Sequence, residues 1–480
     1  MNTTSRLLLC SLMTALVGCT VGPRYQAPPP MVPATWSAAE EAGVRPEPAQ
    51  LAQWWTTFAD PQLTALIQRA VAANHDLRLA VARVREARAL RGVVAPEAQP
   101  QVHASGDYSR QHRSVNTTTL PGNLPTSSRE RDTNVFQLGF DARWELDLFG
   151  GVRRAVEAAE ADITAATAER LAVLVTLCGD VARQYLELRG AQAQLTITRK
   201  NLVSQQDTLA LTRVRLQAGL GTDLDVARSE AQVATTASQI PPLERQSQQA
   251  IHRLALLLGQ EPGALLAALT TVAPLPPPPP HVLVGLPAEL LERRPDIRRA
   301  ERTLAAATAR VGVATADLYP RLSLSGMIGL QSFDLTTLVS SGSLAGSVGP
   351  SVRWPVFDAG RMRANIQVQD ARQEQALLRY EQTVLSALEE VENALVAYGK
   401  EQHRQQALAA AVEANQRAVA LANALYSKGL VDFLNVLQAE LALFTAESQL
   451  VVSNTALATS VVALYKALGG GWEPGAPHVF

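Results

Sequence analysis

Residues 74–106 read NHDLRLAVARVREARALRGVVAPEAQPQVHASG, and residues 295–326 read PDIRRAERTLAAATARVGVATADLYPRLSLSG. The two stretches match at a constant offset of 220 positions, which pairs Asp76 with Asp296, Pro100 with Pro320 and Gly106 with Gly326. Further matches follow at an offset of 210: Trp144 with Trp354, Gly219 with Gly429, Leu224 with Leu434, Glu230 with Glu440 and Gly259 with Gly469. One long unit therefore occurs twice, and this duplication sets the architecture before any local motif does.

Each unit carries the pattern of a helix, a pair of strands, a very long helix, a tight turn and a returning helix. This order predicts a tube rather than a globule. The predicted divisions are a signal peptide at 1–18, a lipidated extended tether at 19–53, a first repeat at 54–273, a Pro-rich linker at 274–284, a second repeat at 285–470 and a C-terminal tail at 471–480. The linker is predicted to be a stiff segment at the surface.

Four stretches alternate apolar and polar residues with period two, which is the pattern of a strand with two different faces. They are Thr133–Asp147, 101–110, 322–331 and 344–354. Strands of roughly 10–14 residues are long enough to cross a membrane at a tilt. The alternative is a soluble pair of hairpins, which would usually bury one face under its own helices.

Four strands are too few to close a barrel. An open sheet edge cannot face lipid, because its N–H and C=O groups would have no partners. Membrane insertion therefore requires oligomerisation, and three copies would supply twelve strands, within the size range of bacterial barrels.

The helical stretches are unusually long. No proline occurs between Pro125 and Pro241, and 151–218 predicts a helix of about 68 residues, or roughly 100 Å. An aliphatic residue recurs every seven positions in this stretch, which indicates coiled-coil packing. These residues are Leu174, Val181, Leu188, Leu195, Leu202, Leu209 and Leu216. Both long helices are predicted to end at a glycine turn, and the returning helices to begin at the N-caps Thr222 and Asp432.

The first residues predict a targeting segment. Arg6 precedes an apolar core, Leu7–Val17, which is too short for a stable membrane span. The small residues that follow, ending at Cys19, resemble the cleavage site of bacterial lipoproteins. Cys19 would then carry a diacylglycerol and an N-acyl chain, and several acyl chains anchor a protein stably. Because Thr20 and not Asp follows, the resemblance implies the outer membrane; the alternative is an ordinary signal peptide with an incidental cysteine.

Composition and motifs exclude several classes of protein. A formal net charge of −1 argues against a nucleic-acid partner. The seven histidines are scattered, and HExxH, GxSxG and P-loop motifs are absent. We therefore expect no catalytic residues, no metal site and no cofactor other than the covalent lipid. Cys178 lies on the helical seam and is predicted to be a small buried residue.

Six motifs follow one another along the chain: GCTVGP at 18–23, WW at 54–55, WELDLFG at 144–150, LERRPDI at 291–297, YPRLSLS at 319–325 and PVFDAGR at 355–361. With the duplication, they resemble the outer membrane factors of tripartite efflux systems, the family of TolC and OprM, and specifically its lipoprotein branch.

The resemblance implies a fold that is mainly α with membrane β. Two tandem repeats would give a four-strand share of a trimeric twelve-stranded β-barrel, a long coiled-coil α-barrel and a mixed equatorial domain. It also implies a homotrimer in outer membrane lipid with a long periplasmic extension. A periplasmic adaptor (membrane fusion) protein and an inner-membrane pump of RND type would deliver small molecules to this passive exit duct.

In that family the helical turns face the adaptor and close the periplasmic gate. The resemblance implies adaptor-facing tips at Gly219, Gly221 and Gly429. It implies gate positions at Asp225, Tyr426, Leu434, Asn435 and Gln438. The chain departs from the family pattern because Asn435 and Gln438 stand at acidic positions and Val431 at a linking arginine. We therefore expect lower affinity for cations at the tip.

Three other functions would use part of the same pattern. A type I protein-secretion duct has the same architecture and stays open as an alternative. A periplasmic, lipidated coiled-coil scaffold would leave the amphipathic strands unused. A diffusion porin would need many strands in one chain and little helix.

Overall fold

The computed structural model describes residues 20–29, 32–40, 42–44, 51–112, 132–279 and 282–473. Cys19 and the predicted signal peptide lie outside this part of the chain. The described residues form long helices and one four-stranded sheet. In chain order the elements are α1 (Pro61–Ala73), α2 (His75–Val94), β1 (Gln101–His112), β2 (Asp132–Leu146), α3 (Gly151–Gln217), α4 (Asp223–Ser238), α5 (Ile240–Leu257), α6 (Leu266–Leu269), α7 (Pro287–Arg293), α8 (Pro295–Ala316), β3 (Arg321–Ser332), β4 (Leu344–Arg353), α9 (Arg361–Ser427) and α10 (Phe433–Ala467).

The order of elements repeats as the duplication predicts. In each copy two strands lead into a helix of 67 residues, α3 or α9, and then into a returning helix. Short 3₁₀ turns lie between the longer elements, such as Trp54–Phe58 before α1. The returning arm is divided in the first copy, where α4 ends at Ser238 and α5 carries prolines in its first turn.

The chain divides into two compact units, each assembled from three segments. The first comprises the described parts of Met1–Pro28, Val84–Ala165 and Ala300–Tyr380. Its sheet has the order β1-β2-β3-β4, and every neighbouring pair is antiparallel. The register aligns Phe140 with Ala104 on one side and Ile328 on the other. All four strands therefore place their apolar residues on the same face.

The second unit comprises the described parts of Pro29–Arg83, Ala166–Arg299 and Glu381–Phe480. Its core joins α1 and the first 3₁₀ turn to the middle of the long helices, with Trp54, Phe58 and Tyr185 almost fully buried. Cys178 lies in this core, and burial raises the pKa of its thiol to about 12. The prediction that Cys178 is a small buried residue is confirmed.

The LERRPDI motif fixes one boundary of this core. Arg294 is buried and donates to Asp296, to Glu390 at 2.7 Å and to the Ala467 carbonyl at 2.9 Å. Burial alone would raise the pKa of Asp296, but the Arg294 guanidinium holds it below its usual value. A buried arginine with several acceptors ties α8, α9 and α10 together.

The predicted tether and the predicted linker both pack apolar side chains into the second unit. In the predicted tether, Trp36 is buried and its Nε1 donates to the Gly285 carbonyl at 3.1 Å. In the predicted surface linker, Val282 and Val284 belong to the core of the second unit. The surface position predicted for the linker was wrong, because proline-rich composition predicts extended backbone without indicating whether its apolar side chains find a surface to cover.

The heptad prediction holds best in the middle of α3. Val181 and Leu188 are fully buried. Towards the end of α3 the fully covered positions are polar, again seven residues apart: Thr198, Gln205 and Thr212. The leucines of the seam are only half-buried there, so this part of the coil keeps apolar surface for contacts outside the chain.

One described helix, α10, is long and apolar enough to cross a membrane by length and composition. Its Val461 and Leu464 are fully buried in the second unit. Packing inside the protein accounts for this apolarity, so it is weak evidence for a membrane span.

Candidate functional site

The apolar face of the sheet is an uncovered apolar surface in the described part of the first unit. Leu138, Phe140 and Ile328 are each more than half exposed, and Val348 is 80% exposed. No described helix of the unit covers this face, which contradicts the soluble-hairpin alternative. The arrangement is that of strands whose outer face meets lipid.

Aromatic residues mark one end of this face. The Trp144 Nε1 donates to the Ala98 carbonyl at 2.9 Å, and the Trp354 Nε1 donates to the Leu318 carbonyl at 3.1 Å. These bonds are related by the duplication, so both copies use the same anchor. Tryptophans with one polar contact are enriched where a membrane meets water.

The opposite face of the sheet is polar. His103 lies 3.7 Å from Asp141, and the hydroxyls of Ser323 and Ser351 are 2.8 Å apart. At its base, next to the aromatic end, lie cavities of about 360 and 610 Å³. A polar face behind an apolar one is what a water-filled channel requires of its wall.

The first described residues dock at the same end of the sheet. Val21 donates to the Phe149 carbonyl at 3.2 Å, and the buried Arg154 donates to the Val21 carbonyl at 3.4 Å. Gly22 has a φ of +84°, and a Cβ there would lie 2.5 Å from Gly312 Cα. This close approach explains the glycine of the GCTVGP motif and holds Thr20 beside Gly150.

The two predicted tips are matching helix ends in the second unit. Gly219 and Gly429 have φ values of +71° and +72°. After α3, Leu220 donates to the Arg215 carbonyl at 2.8 Å, and the bond from Leu430 to the Leu425 carbonyl repeats this after α9. These are Schellman ends, which require glycine for its positive φ. A Cβ at either glycine would meet nothing within 4 Å, whereas at Gly221 it would touch Leu216 N at 3.4 Å. Both outer turns therefore have open space around them in the described chain.

Asp225 has a local partner at the start of α4. Its Oδ2 accepts from Thr222 N at 3.1 Å and from Thr222 Oγ at 2.7 Å, while Asp225 N donates back to Thr222 Oγ at 3.2 Å. This reciprocal capping box confirms the predicted N-cap at Thr222. Asp432 is the N-cap of α10, as predicted, but unlike Thr222 its side chain accepts no cap bond.

Tyr426 lies where the two tips meet. Its ring packs against Phe433 and Val436, and the Arg215 guanidinium lies 4.4 Å from the ring centroid. Arg215 also donates to the Tyr426 carbonyl at 3.3 Å. The pKa of the Tyr426 phenol is raised, mainly by burial. The positive charge of Arg215 opposes this shift, and the negative charge of Asp225 adds to it. The structure thus brings Asp225, Tyr426 and Arg215 into one electrostatic cluster.

Sequence reasoning missed Arg215. The available signal was a cation in the last turn of α3, where the helix dipole favours positive charge. Its partner lies 211 residues away, which no local pattern reveals. The other predicted gate residues, Leu434, Asn435 and Gln438, lie together on an exposed face of α10. They have no partner across the tip in the described chain, so their role stays a prediction.

Comparison with known proteins agrees with this layout. A family model described as outer membrane efflux protein matches residues 66–260 and 286–470. The pyoverdine export outer membrane protein OpmQ of Pseudomonas putida is 36% identical over 476 residues, covering 98% of each chain. Outer membrane protein OprJ of Pseudomonas aeruginosa is 32% identical, covering 97% of this chain and 96% of its own. The solved outer-membrane channel OprN aligns with a TM-score of 0.87 at 41% identity, covering 95% of this chain and 100% of that one. The predicted tandem-repeat fold is thereby confirmed.

Proposed function

This chain belongs to the outer membrane efflux protein family, and we propose that it works as a lipid-anchored homotrimer that accepts small molecules from a periplasmic adaptor and an inner-membrane pump. Membership makes it an outer-membrane exit duct of an efflux system, as the resemblance predicted. The described residues support the trimer and the lipid anchor, whereas the resemblance alone supports an RND-type pump.

The open sheet is the observation that carries the trimer. Within the described residues, strands β1 and β4 each have one neighbour, β2 and β3 respectively. Their free backbone groups cannot face lipid unpaired, and the apolar face cannot stay in water without cost. Pairing β4 of one copy with β1 of the next satisfies both edges. Three copies then give twelve strands, which is a reasonable size for a channel.

The position of residue 20 supports the lipid anchor. Val21 and Gly22 are held against Phe149 and Gly312, at the aromatic end of the sheet. Acyl chains on Cys19, the preceding residue, would then start at the membrane surface, where they can enter one leaflet. Anchoring by several chains contributes roughly 0.8 kcal/mol per buried CH₂.

The tip supports docking of the adaptor and opening of the gate. Gly219 and Gly429 are open to approach, and the Arg215–Tyr426 contact joins the two hairpins at their ends. An adaptor that binds the separated tips better than the joined tips would shift the duct towards the open state. The RND class of pump is supported only by the resemblance to the lipoprotein branch.

Native mass spectrometry of the detergent-extracted mature protein tests the proposal. We expect a trimer whose subunits begin at an acylated Cys19. Cys19→Ser should remove the lipid mass while leaving the trimer, since the sheet edges and not the lipid drive closure. A monomer or dimer without lipid would refute the trimeric duct and favour the periplasmic scaffold.

A further inference from the structure

The polar face of the sheet carries an excess of positive charge around one cavity. Arg143 of β2, Arg321 of β3, Arg353 of β4 and Arg361 at the start of α9 all line the cavity of about 610 Å³. The acidic residues of its lining are Glu145 and Asp317. Four guanidinium groups and two carboxylates leave an excess of two positive charges in a chain whose formal net charge is −1.

Two of these arginines oppose each other. The register pairs Arg321 with Arg353 across β3 and β4. Side chains directly opposite on antiparallel strands have Cβ atoms about 4.5–5.5 Å apart, and like charges there are destabilising. Such a pair at the wall of a cavity is unfavourable unless negative charge lies close to both arginines.

The two carboxylates do not relieve this repulsion at Arg353, because both are engaged by Arg321. Arg321 forms ion pairs with Glu145 at 3.7 Å and with Asp317. Among the described residues, Arg143, Arg353 and Arg361 have neither an ion pair nor a side-chain hydrogen bond. Three arginines therefore line one cavity, and their guanidinium groups have no side-chain partner among the described residues.

The neighbouring cavity of about 360 Å³ limits where an anion can bind. It shares Arg143 and Arg321 but is also lined by Glu97 and Asp147, so carboxylates predominate there. An anion is thus favoured on the β3–β4 side and disfavoured on the β1–β2 side of the same face.

We propose that Arg143, Arg353 and Arg361 form a binding site for multivalent organic anions, which the guanidinium groups engage through carboxylate oxygens. The planar fork of arginine matches a carboxylate with two parallel hydrogen bonds. That the site faces the lumen of a duct rests on the proposed trimer, in which three such sites would favour the passage of acidic solutes over basic ones. The binding itself needs only one chain.

Isothermal titration of the detergent-purified protein with citrate, a tricarboxylate, tests the site without requiring an open gate. At constant ionic strength, citrate should bind at least tenfold more tightly than acetate. The double substitution Arg143→Gln/Arg353→Gln should weaken citrate binding at least tenfold. Arg245→Gln/Arg253→Gln is the matched control, because it removes two exposed arginines of α5 that do not line the cavity, and it should leave binding unchanged.

Arg353→Gln alone is the second variant, in case the double variant does not assemble. It removes one of the three site arginines and, with it, the like-charged neighbour of Arg321, so thermal stability should be unchanged or higher while citrate binding falls about threefold. Equal citrate binding in the Gln variants and the wild type, or none in an intact wild-type trimer, would overturn the site. A trimer that supports efflux but binds no citrate refutes the anion site alone, whereas a monomer that binds citrate refutes the trimer and leaves the site.

Discussion

At the scale of single residues, the tip of the molecule shows side chains with two roles. Asp225 caps α4 through Thr222, and its charge also reaches Tyr426. Arg215 covers the Tyr426 ring and binds its carbonyl. A gate built from such residues couples local helix stability to the contact between the two hairpins. A substitution at the tip therefore has to be compared with a variant that weakens only the helix cap and leaves the contact between the hairpins in place.

The substitution Asp225→Ala should loosen the closed tip. It removes both the cap, worth about 0.5–1 kcal/mol, and the carboxylate beside Tyr426. We expect the resting single-channel conductance in planar bilayers to rise by about twofold or more. Thr222→Ala is the control, since it weakens the same cap but keeps the carboxylate. Equal effects of the two variants would show that only capping matters, and unchanged conductance in both would exclude Asp225 from the gate.

How well the sequence predicts a residue's role depends on the range of its contacts. Gly219 and Gly429 were predictable because a Schellman end depends on local backbone geometry. The capping box at Thr222 was equally local. Arg215 was not predictable, because its contact with Tyr426 exists only once two hairpins are aligned. Asn435 and Gln438 were assigned to the gate only by the family resemblance, which cannot show what they face.

At the scale of elements, the close approach of α3 and α10 depends on small residues. A Cβ at Gly190 would lie 2.3 Å from Thr455 Oγ1 and 3.0 Å from Thr455 Cβ. Threonine has a stiff χ1 angle, and this hydroxyl is already bonded to the Val451 carbonyl at 2.9 Å. Glycine at 190 is therefore a packing requirement inside a helix that would otherwise favour alanine.

Gly190→Ala should destabilise the protein despite the better helix propensity of alanine. Overpacking of this kind costs about 1–3 kcal/mol, which we expect to lower the midpoint of thermal unfolding by several degrees, as measured by circular dichroism. Gly179→Ala on the same helix is the matched control. Its Cβ would meet the flexible side chain of Lys466 at 3.0 Å, so stability should be unchanged or higher. A Gly190→Ala protein as stable as the control would show that the helices can separate without cost.

Element boundaries were more predictable than packing partners. The strand predicted at 133–147 spans Asp132–Leu146, because alternation with period two is strong when one face is wholly apolar. The heptads predicted a coiled coil, yet not that Thr198 and Thr212 would be its fully covered positions near the tip. A seven-residue period predicts which side of a helix packs in a coiled coil. Which residues on that side become fully buried depends on how closely the two helix backbones approach.

At the scale of the whole molecule, closure of the sheet by other copies is the step on which the proposed duct depends. The described part of one chain presents an apolar face on one side of the sheet, a polar face on the other, and two edges without a paired strand. In a closed barrel the apolar face meets lipid and the polar face meets water. A charged side chain should therefore destabilise the barrel on the apolar face and be tolerated at the neighbouring position on the polar face.

Leu138 and Gln137 provide this comparison on β2. Leu138 lies on the apolar face and is 53% exposed, while Gln137 lies on the polar face, with its Nε2 3.6 Å from Met327 Sδ. Leu138→Lys should cost about 2–4 kcal/mol in each chain if the side chain meets the middle of the bilayer, and three chains multiply the penalty. Gln137→Lys should cost little, since the ammonium stays in water.

The measurement is the fraction of heat-resistant trimer recovered after refolding into lipid vesicles. Equal recovery of both variants would mean that the apolar face does not meet lipid, which would refute insertion of this sheet into the bilayer.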